Sequence, residues 1–271
     1  MKKLFKMALI LALGAGIVTQ SSCKEDEEND PAPAGTAPIS CMPTEVTDIE
    51  EGDTTTTTYE YNTNGILIQS IEVENGETTR SSYVYTADGK LSSVVTEEQT
   101  AVFTYAAGSS IPERINISED GIPYSFIEIT SSNGNITKIE NSYYSGDEAT
   151  LTDITSFTYV NGKLNSSIAE SYDEMSDSFI TEVTISDITF DGKKSPFNGN
   201  LAFAFDGDID PLAITPENLA SGNIVTVIES QEVTLPITGT YTYNENNYPI
   251  TSRQSIANLF NNDKTYKYNC K

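Results

Sequence analysis

The feature that most restricts the fold of this chain is a unit repeated along it from Thr44 onward. It consists of an aromatic-x-aromatic strand end, a turn containing Gly or Asn, and an apolar residue that opens the return strand. Tyr59-Glu60-Tyr61 is followed by Asn64-Gly65 and Ile66, Tyr83-Val84-Tyr85 by Asp88-Gly89 and Leu91, and Phe157-Thr158-Tyr159 by Asn161-Gly162 and Leu164. Looser copies are Phe103-Thr104-Tyr105 before Gly108, Ile127-Glu128-Ile129 before Asn133-Gly134, Ile188-Thr189-Phe190 before Asp191-Gly192, and Tyr241-Thr242-Tyr243 before Asn246-Asn247. The copies stand mostly about 20 to 31 residues apart, the length of one hairpin plus its connection.

Each part of the unit has a physical reading. Rings alternating with Thr, Glu or Val put the aromatics on one face of a half-buried antiparallel strand. Asn-Gly and Asp-Gly supply the positive φ angles of tight hairpin turns. Leu91-x-x-Val94 and Ile136-x-x-Ile139 break strict alternation, which predicts bulges that bend the sheet. Thr54 to Thr58, a run of high strand propensity, reads as the first strand. One helix is expected, at Thr215-Pro216-Glu217-Asn218-Leu219, where Thr215 can cap and Pro216 suits the first turn. The fold class is therefore all-β: a single antiparallel meander of about a dozen strands, curled into a closed or nearly closed barrel-like sheet. Closure also removes the edge strands that invite aggregation.

The N-terminus reads as a leader, an anchor and a tether. Lys2, Lys3 and Lys6 precede an apolar or small-residue run from Met7 to Val18, too short to span a bilayer and of signal-peptide length. Ser21-Ser22-Cys23 then resembles a lipobox, with Gln20 where the strict motif has Leu. Residues 1–22 are expected to be a lipoprotein signal peptide and Cys23 the lipidated residue, holding the protein to the outer membrane through several acyl chains. The acidic and Pro-rich stretch 23–40 cannot form a core and should be an extended tether. Within it Lys24, Glu25 and Asp26 resemble the export signal of Bacteroidota surface lipoproteins, which implies display on the cell surface. The β domain is expected over 41–271.

With Cys23 assigned to lipid, Cys41 and Cys270 remain, one just ahead of the strands and one in the last of them. In an oxidising envelope compartment a disulfide is expected, and it would bring the first and last strands within about 7 Å between α-carbons. Two unrelated thiols are the alternative.

Composition removes whole classes of chemistry. The 271-residue chain has no His, which excludes the imidazole-dependent triads and every His-ligated metal site. Its formal net charge of -25 repels phosphate backbones, so no nucleic-acid partner is expected. Asp206, Asp208 and Asp210, alternating around Gly207, are a candidate calcium site, with a solvated acidic turn as the competing reading. Otherwise no cofactor is expected. The Tyr-rich strands could offer stacking faces to sugars, although rings at alternating strand positions more often form core.

The Tyr-x-Tyr units with their Asp/Asn-Gly turns resemble the YD repeats of RHS-type proteins. They are more closely similar to Bacteroidota lipoproteins of a domain family of unknown function with a porin-like fold. Ile188 to Phe197 and Asn246-Asn247-Tyr248-Pro249 carry that resemblance, which spans Cys41 to Lys271. Irregular spacing and the missing Arg after Gly argue against a large RHS cage. The family implies no catalytic residues. Porin-like is taken as a description of shape, because the strands read as short and a lipid anchor would be redundant for a spanning barrel. The expected function is a non-catalytic, surface-exposed lipoprotein that binds a glycan or protein partner or serves as a scaffold. The alternative is a periplasmic carrier or chaperone holding an apolar ligand in the curled sheet.

Overall fold

A computed structural model describes residues 41–50, 52–197, 200–205, 215–228 and 231–270. The described residues form sixteen strands: β1 (Cys41–Glu50), β2 (Asp53–Tyr61), β3 (Leu67–Glu74), β4 (Glu77–Tyr85), β5 (Leu91–Val95), β6 (Gln99–Thr104), β7 (Arg114–Glu119), β8 (Ile122–Ser132), β9 (Asn135–Ser145), β10 (Glu148–Val160), β11 (Lys163–Asp173), β12 (Ser178–Lys194), β13 (Glu217–Ile228), β14 (Gln231–Tyr243), β15 (Pro249–Ile256) and β16 (Phe260–Cys270). Each pairs antiparallel with its neighbours in sequence, and β16 pairs with β1, so the meander closes into a barrel. Cys41 and Cys270 face each other in that closing ladder, joined by a disulfide with their α-carbons 4.0 Å apart.

The Thr run is the second strand. β1 precedes it and starts at Cys41 itself. Its inward positions include the polar Asp48, so alternation of apolar residues could not announce it. Nor are the strands short, since β10 has 13 residues and β12 has 17. The expected helix at Thr215–Leu219 does not form. Glu217 already opens β13, and the Thr215 hydroxyl donates to the Glu217 carbonyl at 2.6 Å rather than capping a helical turn. Pro216 hands its carbonyl to the Ser195 amide at 2.7 Å, which extends the sheet. Strand pairing thus took the backbone groups that a helix start would have used.

Asn133-Gly134 and Asn161-Gly162 are two-residue hairpin turns with φ positive at both positions, as the pattern predicts. Asp191-Gly192 is not a turn. It lies inside β12, where the register against β13 shifts between Phe190 and Lys194. The Asp191 carboxylate accepts from the Lys193 amide, from Asn218 Nδ2 at 3.2 Å and from the Tyr243 hydroxyl, so it bridges three strands.

The bulges occur where broken alternation placed them, and they belong to a recurrent device. Ser92 is the extra residue between the pairs Val84–Ser93 and Tyr85–Leu91, and Thr137 between Thr130–Lys138 and Ser131–Ile136. A bulge disrupts the ladder and leaves a backbone carbonyl needing a donor. A tyrosine of the adjoining strand or strand end supplies it. Tyr105 donates to Leu91 O, Tyr159 to Ile136 O, Tyr241 to Leu219 O, Tyr268 to Pro249 O and Tyr61 to Pro43 O, all at 2.6–2.8 Å and all beside register shifts. The aromatic of the repeat is therefore core and cap at once. Gly239 makes room for one such ring, because a Cβ there would lie 2.1 Å from the Leu219 carbonyl.

Inward positions form one apolar cluster running round the barrel from Leu67 to Ile256, with Ile115, Ile136, Ile185, Ile224 and Ile237 almost wholly buried. Outward positions are chiefly polar or charged. Arg114 pairs with Glu128 at 2.7 Å and lies over the Phe126 ring, and Arg253 meets Asp263 through two bonds of 2.7 Å. Apolar residues such as Val84, Val95 and Val102 interrupt this wall.

Three outcomes are expected. Replacing Cys41 and Cys270 by Ala should lower stability by at most about 5 kcal/mol, the chain entropy of so long a loop. Thermal melting with and without reductant checks this, and the double variant should no longer respond to reductant. Tyr159→Phe should cost about 1 kcal/mol in urea unfolding by leaving the Ile136 carbonyl without its donor. Burial raises the phenols of Tyr85, Tyr105 and Tyr159 from about 10 to about 12, and those of Tyr61, Tyr241 and Tyr268 further. A folded-state pKa raised above the unfolded one gives stability that is complete below pH 10 and lost as pH rises toward 12. Unfolding midpoints measured across that window, alongside phenolate absorbance, should fall together.

Candidate functional site

The two rims of the barrel differ. Cys41 and Cys270 stand at one, here the near rim, together with the Tyr-capped bulges and the turns that follow β2, β4, β8, β10 and β14. The far rim carries the turns after β1, β3, β7, β9 and β15.

The connection from β12 to β13 starts at the near rim, and its described rings lie in the lumen. Its described part, the plug, contains a short 3-10 turn, Leu201–Phe203, started by Asn200, whose Oδ1 accepts from the Ala202 amide at 3.0 Å. Ala202 is buried, and the rings of this segment reach the opposite wall. Phe203 meets Tyr59 of β2 edge-on at 5.1 Å between centroids, and Phe205 meets Phe103 of β6 at 5.2 Å. Phe197 stacks on Phe203 at 4.9 Å. A sixteen-stranded barrel is too wide for wall side chains alone to fill, so an inserted segment completes the core.

Above this plug, toward the far rim, lies a cavity of about 300 Å³. Its aromatic floor is Phe197, Phe203 and Phe205, and its wall is the inner face of β1 to β4. Register sets two polar rows across that wall. Thr57, Glu72 and Thr79 form one, and Tyr59, Ser70 and Ser81 the other. The Thr57 hydroxyl donates to Glu72 Oε2 at 3.4 Å, and Ser70 Oγ lies 3.0 Å from the Tyr83 hydroxyl. At one side Asp48 is held by Lys264 Nζ at 2.7 Å and accepts from Asn262 Nδ2 at 2.7 Å. Among the described residues the Tyr59 hydroxyl takes no hydrogen-bond partner. Its phenol pKa is raised well above the ordinary value, first by burial and then by the neighbouring Tyr83.

Of the residues singled out in the sequence, Cys41 and Cys270 are brought together. Cys23, Lys24, Glu25, Asp26 and the calcium candidates Asp206, Asp208 and Asp210 lie outside the described residues. Among the described residues no group of three or more Cys, Asp or Glu is arranged to hold a metal ion. The cavity residues escaped sequence reasoning. The Thr run held the signal, since alternation along Thr54 to Thr58 sends Thr55 and Thr57 to one face, but which face is inner depends on long-range closure. Leu201-Ala202-Phe203-Ala204-Phe205 is an apolar run without a periodicity to say that it fills a lumen.

No family model matches the chain, and no curated protein matches it either. Among solved structures, a porin-like protein from Bacteroides uniformis is similar over 84% of this chain and 96% of its own, at 11% identity and a TM-score of 0.55. A porin-like protein from Bacteroides vulgatus is similar over 85% of this chain and 99% of its own, at 12% identity and a TM-score of 0.58. At such identities the likeness is one of fold alone.

Proposed function

We propose that the chain is a non-catalytic binding module, anchored to the outer membrane by lipid on Cys23 and displayed on the cell surface through the segment Lys24-Glu25-Asp26. The observation that carries this reading is the polarity of the barrel. The described chain begins at the near rim, and the cavity lies on the far-rim side of the plug's described rings, lined there by Asp48, Thr55 and Thr79. A tether leading into Cys41 therefore holds the barrel with its cavity facing away from the membrane, which is where a module that samples the surroundings needs it.

The outer wall supports anchoring over insertion. A spanning barrel shows lipid an apolar band, whereas Arg114, Glu128, Arg253 and Asp263 stand on this wall. The porin-like neighbours support the barrel shape and say nothing of its ligand. The wall of Thr, Ser, Asp, Glu and Lys beside the aromatic floor gives the cavity a polar side, which suits a ligand with polar groups better than the wholly apolar cargo of a carrier.

Protease treatment of intact cells tests the proposal. The natural chain should be digested, and a variant with Lys24 to Glu28 replaced by Ala and Ser should be protected. Cys23→Ala should lose incorporation of labelled fatty acid and leave the membrane fraction. Protection of the natural chain on intact cells would overturn surface display, and unchanged fatty-acid labelling of Cys23→Ala would overturn the anchor.

A further inference from the structure

We infer that the far rim over β8 to β12 is a docking surface for a cationic amphipathic peptide segment, one that carries Lys or Arg beside apolar side chains. The inference goes beyond the cavity and rests on the function proposed above only for the outward presentation of this rim. Exposed apolar residues supply the contact, and the charge around them selects the partner.

The contact surface comes from neighbouring hairpin ends. Ile122 opens β8 just past the Asp120-Gly121 turn and is 69% exposed, and Tyr124 follows it in the bulge between Ser125 and Pro123. Tyr124 meets Tyr143 of β9 edge-on at 5.5 Å between centroids, and both rings are exposed. Tyr172 of β11 and Phe179 of β12 form a second edge-on pair at 5.5 Å, on either side of the β11–β12 turn. Met175 stands in that turn, 96% exposed, and Asp173 fixes it there. The Asp173 Oδ1 accepts from the Met175 amide at 3.1 Å, and its Oδ2 accepts from the Ser176 hydroxyl at 2.7 Å. A turn braced by its own hydrogen bonds thus holds a large apolar side chain out in water, where it adds nothing to packing. Exposed apolar residues gathered in this way mark interaction surfaces, and the flexible thioether of Met adapts to irregular partners.

Charge decides what covers this surface. The turns after β7, β9 and β11, with their flanking residues, carry Glu119-Asp120, Asp147-Glu148 and Asp173-Glu174, and none of the three contains Lys or Arg. At the near rim, by contrast, Lys90, Lys163, Lys193 and Lys194 lie at or beside the strand ends. An anionic lipid surface would be repelled from the far rim, and so would a second copy of a chain of formal net charge -25. A segment bearing Lys or Arg is attracted at each of the three turns. Size favours a segment over a small cation. In the barrel β8 and β12 are four strand spacings apart, about 19 Å, a span that roughly thirteen helical residues cover. Such a segment sets its apolar face on the rings and Met175 while its basic residues meet the carboxylates beside them.

The test is NMR of the full chain, isotope-labelled at the methionine methyls and held in an uncharged detergent. Met175 reports on the far rim, and Met42, whose Sδ lies against Gly65 at the near rim, is the control in the same molecule. The probe is a synthetic amphipathic helix of Lys and Leu, about fourteen residues long, compared with the same peptide carrying Glu for Lys and with an oligolysine of equal length. The Lys/Leu peptide should shift the Met175 methyl saturably at micromolar concentration and leave Met42 in place. The Glu/Leu peptide should shift neither, and oligolysine should bind at least about tenfold more weakly, because charge alone lacks the apolar contact. Ile122→Ser, and separately Asp147→Asn with Glu148→Gln, should each weaken the Lys/Leu peptide about fivefold without moving the thermal midpoint, since all three side chains are exposed. Silence at Met175 up to millimolar peptide would overturn the surface. So would equal shifts at Met42 and Met175, equal binding of oligolysine, or affinities unchanged in both variants. Because the measurement is independent of anchoring and of membrane side, its failure leaves surface display standing, and failure of the protease experiment leaves this surface untouched.

Discussion

The pairing of the first strand with the last is the constraint on which the rest of the structure depends. An open meander of this length would present two unpaired edges and one broad apolar face, with nothing to cover either. The β1–β16 ladder removes both edges and turns the apolar face in upon itself. It is secured at the near rim by the Cys41–Cys270 bond and along its length by Glu45 with Lys267 at 2.6 Å and Asp48 with Lys264 at 2.7 Å. The exposed Glu45–Lys267 pair adds little in water. The disulfide spans 229 residues of sequence, which makes it the contact whose loss most enlarges the unfolded ensemble.

Closure creates a second problem, a lumen wider than two layers of side chains, and the chain solves it unevenly. From β6 round to β14 the inner face carries Ile, Val, Leu and Phe, which reach the plug and pack against it. On β2 to β4 the inner face toward the far rim is Thr, Ser and Glu, and it lines a cavity beside the described rings of the plug. The apolar half accounts for folding, while the polar half leaves a cavity. The Tyr-capped bulges lie at the near rim, while register shifts at Ile117/Ser118 and Leu151/Asp153 toward the far rim have no such bond.

Much of this was legible in local sequence because the repeat encodes local physics. Alternating rings, Asn-Gly turns and the Leu91-x-x-Val94 break each name a conformation that a few residues decide among themselves, and strand, hairpin and bulge followed. The Cys positions named the closure. Elements decided by distant partners were less legible. β1 has the polar Asp48 facing inward and was hidden, Asp191-Gly192 looked like a turn until three strands converged on its carboxylate, and Thr215-Pro216 looked like a helix start until Ser195 claimed the Pro216 carbonyl. Asn75-Gly76 and Asp120-Gly121 form hairpin turns at the far rim, but without flanking aromatics they did not register as copies of the repeat.

The polar wall is the place where the sequence departs from what packing alone would select. Apolar residues of similar volume at Asp48 and Lys264 would be no less stable than a half-buried ion pair, since desolvation offsets much of its attraction. Ile or Val at Thr57, Thr79 and Ser81 would continue the inner surface already built on β6 to β14 and let the plug settle deeper. The Tyr59 phenol, desolvated and without a hydrogen-bond partner among the described residues, is likewise worse for folding than Phe. These departures fall on adjacent strands, at one depth, around one cavity, and sequences break their own folding rules together where something other than folding is being served. That concentration, more than the presence of the cavity itself, is the ground on which the polar wall is proposed to bind a ligand.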